Sequence, residues 1–348
     1  MHFDINELKS RLILLEELLN STDDKYKKIE IFNDINKIKY LIRYIDKNAL
    51  LNLYDTNEGI IGDYKEKDDD VVAGRIVDFF NKYIMQIRTS IGVFSNMPKL
   101  PWRIWKNTII SNKKYFELIS NFMKEFNPEM LEIYNNLVQN KRIELSIDKY
   151  EGERYVRGLC FCVGNLKETY VLSRFNNKMN TGIILPHELG HAYLFYKSDF
   201  NNESNIFIEA YSIFIEFIFG DYLKNTVYAG SAFNNEYQRL DTFLGMVDYE
   251  FDNLIKLKGM NFDFPFYYTK DGSIGNVDTA TLILSNMLGM YLAHLYRFDR
   301  DRYNNEIKVF LEMYGRTTDE EILKYFGLKN LTEGTEKTVR TYVKTYRR

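Results

Sequence analysis

The chain has 348 residues, of which 45% are hydrophobic and 27% charged, so wholesale disorder is excluded. Its 46 Lys and Arg residues nearly balance 49 Asp and Glu residues and leave a formal net charge of −3. Neither a nucleic acid nor a membrane surface is expected as a partner, because both attract proteins with a strong basic field. The length is enough for one large domain or two smaller ones.

The composition favours a helical protein in a reducing compartment. Only five prolines are present, which favours long helices over a sheet with many turns. Cys160 and Cys162 lie two apart in a predicted strand and are not expected to form a disulfide with each other. Asp4 and Glu7 lie where a secretory signal would be basic and then apolar. We therefore expect a cytoplasmic protein without a membrane span.

Residues 1–110 are predicted to form an N-terminal helical region. Apolar residues at helical spacing predict one helix over 4–20 and another over about 25–53, joined by a short turn. Two glycines and a run of charge make 55–70 a predicted linker. The two helices form a predicted hairpin that can cap a channel, form a dimer or pack on the rest of the chain, and we favour capping or packing.

Residues 111–348 are predicted to form a second domain. Helical patterns run from about 71 to 96, before this domain, and again from about 102 to 140, with an interruption at 97–101. Two runs rich in β-branched and aromatic residues, 154–163 and 168–175, predict strands joined by a Gly-Asn turn. Helical patterns return from residue 182 onward. The predicted fold class is mainly α, with a small antiparallel sheet.

The sequence HELGH at 187–191 carries the clearest chemistry in the chain. Residues four apart share one face of a helix, so His187 and His191 can present their imidazoles to one metal ion, and zinc suits such a site. Glu188 is rotated by about 100° from His187, so its carboxylate lies beside the metal and can take a proton from a water molecule that the metal activates. The alternative is a pair of ordinary core or surface histidines, although four histidines in the chain make this spacing rare by chance.

A third ligand is expected from the apolar helical run at 206–217. Its only charged residues are Glu209 and Glu216, which are seven apart and therefore close to one face of a helix. A carboxylate in such a run needs compensation. We expect Glu209 to be the third zinc ligand and Glu216 to accept a hydrogen bond behind it. The alternative is that both carboxylates pair with Arg or Lys elsewhere.

Several segments, in order, are similar to those of one protein family. They are EGERYVRGLCFC at 151–162, TYVLSRFNN at 169–177, HELGH, the helix from Glu209 to Glu216, and VFLEMYGRTTDEEILKYFGL at 309–328. Together they resemble the oligoendopeptidase F and thimet oligopeptidase family of zinc metallopeptidases. The resemblance covers about 115–328, and only 151–217 carries specific motifs.

The resemblance implies a helical catalytic domain that encloses a deep channel, which admits short peptides and excludes folded proteins. It assigns one zinc ion to His187, His191 and Glu209. It makes Glu188 the general base and then the proton shuttle to the leaving amine. The strand at 169–175 would supply backbone edge groups to the bound peptide.

The chain departs from the family in two ways. It is shorter, and the family's oxyanion-stabilising Tyr and His have no match at the expected spacing. The candidates to replace them as transition-state donors are Tyr267, Tyr268, Tyr291 and His294, each of which is also a plausible core residue.

The expected function is that of a zinc-dependent oligopeptidase that hydrolyses short peptides. One alternative is a peptide-binding or sensor protein that retains zinc and has weak or no hydrolytic activity, because losing one oxyanion donor typically costs about 100–1,000-fold in rate. Another is a structural helical protein without zinc. The sequence leaves the oligomeric state open.

Overall fold

The computed structural model describes residues 3–47, 108–146, 158–200, 207–258 and 275–346. This part of the chain is mainly helical and contains one three-stranded sheet, which confirms the predicted fold class. The chain divides into two compact units, Met1–Lys65 with Thr108–Asn202, and Glu66–Asn107 with Glu203–Arg348. The domain boundary expected at residue 110 stays a prediction, as does the linker at 55–70, which lies outside the described residues.

The first unit begins with the predicted helical hairpin. It consists of α1 (Ile5–Ser21) and α2 (Lys25–Lys47). The Asp4 side chain accepts hydrogen bonds from two backbone amides of the first turn of α1, which satisfies donors that have no partner within the helix. The predicted extension of α2 to residue 53 and the helical pattern at 71–96 fall outside the described residues.

The sheet of the first unit is mixed. Strands β2 (Gly158–Val163) and β3 (Glu168–Arg174) form the predicted antiparallel hairpin, with Cys160 opposite Val171. A third strand, β1 (Ile143–Ser146), pairs with β3 in parallel. The sheet is therefore mixed, whereas the sequence predicts an antiparallel sheet. Four residues with two apolar positions give too short a pattern to predict β1 from the sequence.

Strand β3 lies in the centre of the sheet, because the strand order is β1-β3-β2. Its backbone hydrogen bonds to β1 on one side and to β2 on the other. The expectation that the strand at 169–175 offers its edge to a peptide is therefore wrong. Of the described strands, β1 and β2 are the outer ones.

The hairpin of α1 and α2 packs on one face of this sheet. Phe161 of β2 and Tyr170 of β3 are directly opposite each other and belong to the same buried apolar cluster as side chains of both helices. Tyr40 of α2 contacts Phe161 with ring centroids 5.4 Å apart, and Phe3 contacts Tyr170 edge to face at 6.0 Å. Of the roles considered for the hairpin, packing is the one observed.

A buried carboxylate ties the hairpin to the turn between β2 and β3. Asp34 of α2 is 3% exposed and accepts hydrogen bonds from the backbone amide and the side-chain amide of Asn165, at 2.8 and 2.9 Å. Its other oxygen accepts from Lys37, which also donates to the backbone carbonyl of Cys162. Three donors therefore compensate one buried charge.

The opposite face of the sheet is covered by a helix that carries the HELGH sequence. This helix, α5 (Ile184–Lys197), packs on β2 and β3. Two preceding helices, α3 (Asn112–Phe126) and α4 (Pro128–Gln139), pack on each other, and α4 also packs on α5. The first unit is therefore layered as a helical hairpin, a sheet and a helix.

The described part of the second unit is helical throughout, as predicted from residue 182 onward. Its helices are α6 (Ala210–Lys224), α7 (Ala229–Lys258), α8 (Gly275–Phe298), α9 (Arg300–Met313), α10 (Asp319–Phe326) and α11 (Leu328–Tyr346). Helix α8 packs against α6, α7, α9 and α11. Among the described helices, none combines the length and apolar character needed to cross a bilayer.

Replacing Asp34 with Ala is expected to lower the free energy of unfolding by about 2 kcal/mol, because the substitution leaves the buried amide of Asn165 without its acceptor. Urea denaturation measures the change. Asp23→Ala is the matched control, since Asp23 is exposed in the turn before α2 and its loss should change stability by less than about 0.5 kcal/mol. Equal effects of the two substitutions would contradict the role of Asp34.

Candidate metal centre

Helix α5 brings the two histidines of HELGH together. Pro186 lies in its first turn, where the missing amide would have no partner within the helix. His187 and His191 are one turn apart, and their Nε2 atoms are 3.2 Å from each other. His191 is 8% exposed and His187 is half-buried. The helix therefore aims two imidazole nitrogens at the same point.

The separation of these nitrogens fits a shared metal ion. Zinc binds imidazole nitrogen at about 2.0–2.1 Å with tetrahedral geometry, which places two ligand atoms about 3.3–3.4 Å apart. The observed 3.2 Å between the Nε2 atoms of His187 and His191 is close to that value. Two neutral imidazoles and a carboxylate also form a donor set that zinc accepts.

Glu209 is the carboxylate that the sequence predicts for this set. A ring nitrogen of His187, a ring nitrogen of His191 and a carboxylate oxygen of Glu209 all lie within 4.8 Å of one another. Glu209 is the residue directly before α6, and its backbone carbonyl accepts the hydrogen bond from the amide of Ile213 at 2.9 Å. The apolar run predicts Glu209 within a helix, whereas the helix begins at the next residue, Ala210. At the helix N-terminus its negative charge is stabilised by the helix dipole.

The Glu188 carboxylate faces the sheet. Glu188 is 5% exposed and lies against the first residue of β2, Gly158. The thiol of Cys160, which lies on the same face of β2, has its pKa raised well above the ordinary value, first by burial and then by the nearby charge of Glu188.

Glu216 forms an ion pair within the second unit. Its two carboxylate oxygens accept from the guanidinium of Arg239 on α7, with 2.7 Å between Arg239 Nε and Oε2. An arginine partner is the alternative that the sequence left open for this carboxylate. The expectation that Glu216 accepts a hydrogen bond from a zinc ligand stays a prediction.

The candidate transition-state donors lie in different parts of the chain. Tyr267 and Tyr268 fall outside the described residues. Tyr291 is buried in α8, and its hydroxyl donates to Glu306 of α9 at 3.2 Å. His294, one turn further along α8, is half-buried, and desolvation lowers the pKa of its imidazole. Their roles toward a substrate stay predictions.

Tyr291 and His294 also line a cavity of about 230 Å³ within the second unit. Its charged lining residues have both signs, with Arg302 and Lys337 against Asp299 and Glu333. Within the described part of the chain, the buried Nδ1 of His294 has no hydrogen-bond partner. This mixed lining favours no single class of ligand.

The fold is similar to that of solved peptidase structures. No family model matches the chain, and no curated protein sequence matches it at a significant level. An oligoendopeptidase F structure from Bacillus anthracis str. Ames is 14% identical, with a TM-score of 0.51 over 91% of this chain and 63% of its own. The structure of PZ peptidase A with inhibitor 2 is 15% identical, with a TM-score of 0.51 over 91% and 64%. A peptidase from Chlamydophila abortus is 14% identical, with a TM-score of 0.52 over 80% and 55%.

At this level of sequence identity, the similarity to these structures is a similarity of fold. They confirm the fold that the resemblance to oligoendopeptidase F implies. The chain spans less than two thirds of the length of each of these structures, which agrees with the shortness noted in the sequence. The structures that share this fold are named as peptidases.

The sequence did not reveal two glycines that support the site. Gly158 borders the Glu188 carboxylate, and Gly289 of α8 borders the first turn of α6. A Cβ added at Gly289 would lie 2.8 Å from the carbonyl oxygen of Ala210, the residue after Glu209. A glycine inside a regular element signals such a close approach, but it does not say which atom approaches.

Replacing Gly289 with Ala is expected to lower the free energy of unfolding by about 1–3 kcal/mol, because the Cβ overpacks the contact with α6. Gly220→Ala is the matched control on α6. Nothing lies within 4 Å of a Cβ added there, so this substitution should raise stability by up to about 1 kcal/mol. Urea denaturation of both variants measures the two signs, and a stabilised Gly289→Ala variant would contradict the close packing.

Proposed function

We propose that the protein is a zinc-dependent endopeptidase that hydrolyses short peptides. The observation that carries the proposal is the cluster of His187, His191 and Glu209, within which the two imidazole nitrogens have the spacing of zinc ligands. The likeness of the fold to oligoendopeptidase F structures supports the choice of peptides as substrates.

His187, His191 and Glu209 would hold the ion. The two histidines are fixed by one helix, and the carboxylate is fixed by the start of another, so each ligand has a rigid support. When bound, zinc supplies Lewis acidity and lowers the pKa of water toward about 7.

Glu188 moves the proton in the proposed reaction. It accepts a proton as the water oxygen forms a bond to the peptide carbonyl carbon, and it delivers that proton to the amide nitrogen as the carbon–nitrogen bond breaks. Its burial against Gly158 excludes bulk water from one side of the carboxylate. The products are a new carboxyl terminus and a new amine terminus.

The peptide is placed along β2 in this proposal. β2 is an outer strand among those described, and its first residue borders Glu188. An extended peptide beside such a strand can form backbone hydrogen bonds that do not depend on its sequence. This arrangement replaces the central strand β3, whose edges are both paired.

Metal analysis tests the ligand set. Protein purified without chelator should contain one zinc ion per chain, and His191→Ala should lose it, because two ligands bind zinc far more weakly than three. His294→Ala is the control, since this histidine lies outside the cluster and its loss should leave the zinc content unchanged. Wild-type protein without stoichiometric metal would refute the proposal and favour a structural protein.

Digestion of a mixed peptide library, followed by mass spectrometry, tests Glu188. Glu188→Gln should retain zinc and lose at least about 100-fold in rate, because the amide cannot accept the proton. Glu132→Gln, at an exposed position of α4, is the control and should cleave at the wild-type rate. Unchanged cleavage by Glu188→Gln would overturn the assigned mechanism.

A second candidate is a zinc-retaining peptide-binding or sensor protein with weak or no hydrolysis. It is favoured by the hydrogen bond from the Tyr291 hydroxyl to Glu306, which engages one of the candidate donors inside its own unit. The same library distinguishes the two functions. A wild-type protein that binds peptides as tightly as Glu188→Gln and cleaves none of them would be a binding protein.

A further inference from the structure

Gly158 is the point of closest approach between the sheet and α5. A Cβ added to it would lie 2.8 Å from the carboxyl carbon of Glu188, closer still to its Oε1, and 2.8 Å from Cγ2 of Ile184. Real Cβ atoms essentially never have neighbours under 3.0 Å. No L-residue with a side chain fits here without movement of α5 or of the Glu188 carboxylate.

The geometry of both elements explains why this contact involves the carboxylate. Ile184 and Glu188 are four apart and share one face of α5. Strand residues alternate between faces, so Gly158 shares its face with Cys160, whose thiol responds to the charge of Glu188. Phe161, on the other face, packs with the N-terminal hairpin instead.

We propose that Gly158 is the positioning residue for Glu188, because the Glu188 carboxylate occupies the space that a side chain at position 158 would fill. This proposal rests on the proposed function, in which Glu188 moves the proton. The strand backbone on one side and Ile184 on the helix confine the carboxylate. At 5% exposure, Glu188 has little solvent into which it can be displaced.

Gly158→Ala should therefore move the carboxylate without removing a zinc ligand. A misplacement of about 1 Å in a reacting group can cost about 100-fold in rate. We expect kcat on a library-derived peptide to fall about 100-fold, with KM and zinc content unchanged. A purely structural effect of the substitution would lower the fraction of folded protein and leave the kcat of the folded fraction intact.

A double-mutant cycle tests the contact itself. Glu188→Asp shortens the side chain by one methylene and withdraws the carboxylate from the added Cβ. In the G158A/E188D protein, the alanine should therefore cause a much smaller loss of kcat than it does in the wild-type background. The same coupling should appear in the melting temperature of the metal-free proteins, where G158A should be less destabilising in the E188D background, in which only the contact with Cγ2 of Ile184 remains.

The control is Gly245→Ala, an exposed position on α7 with nothing within 4 Å of an added Cβ. It should leave kcat and zinc content unchanged. Wild-type kcat in G158A, or equal loss from the alanine in both backgrounds, would overturn the proposal. If G158A does not fold, folding of G158A/E188D supports the contact, and failure of both refutes it.

The cycle also separates this proposal from the proposed function. A wild-type protein that hydrolyses no peptide refutes the peptidase function and with it the role of Glu188. The melting temperatures of the metal-free proteins would then still report whether Gly158 and Glu188 are in contact. Active wild-type protein without coupling refutes only the role of Gly158.

Discussion

The close packing of α5 on the mixed sheet is the contact on which the candidate site depends. Gly158 allows the helix to approach until the Glu188 carboxylate meets the strand backbone. Because Glu188 and Ile184 face the sheet, His187 and His191, about 100° and 60° from Glu188 around the helix, are turned to one side of that contact. One packing contact therefore positions both the Glu188 carboxylate and the pair of imidazoles.

The N-terminal hairpin makes this contact rigid from the other side. A small sheet gains stability when an apolar face packs against a helix. Phe161 and Tyr170 bury one face against α1 and α2, and α5 buries the other. Asp34 and Lys37 add polar contacts to the end of β2. The hairpin therefore supports the strand that supports Glu188, although it carries no residue of the cluster.

Local patterns predicted the elements well, and contacts distant in sequence account for what was missed. The cap at Asp4, the β2–β3 hairpin and the HELGH helix all follow from the spacing of neighbouring residues. Strand β1 reaches its partner 28 residues further along the chain, as in the pair Ile143 and Val171, and its four alternating residues are too few to predict a strand on their own. The neighbour of Gly158 could not be predicted either, because glycine marks a close approach without naming the other atom.

The two carboxylates of the apolar run at 206–217 are stabilised in different ways. Glu216 meets the guanidinium of Arg239 through both of its oxygens. Glu209 lies at the N-terminus, where the dipole of α6 favours negative charge. A bidentate guanidinium occupies both oxygens of a carboxylate, whereas a helix dipole acts through space. Glu209, the carboxylate at the helix terminus, is the one that lies close to the two imidazoles.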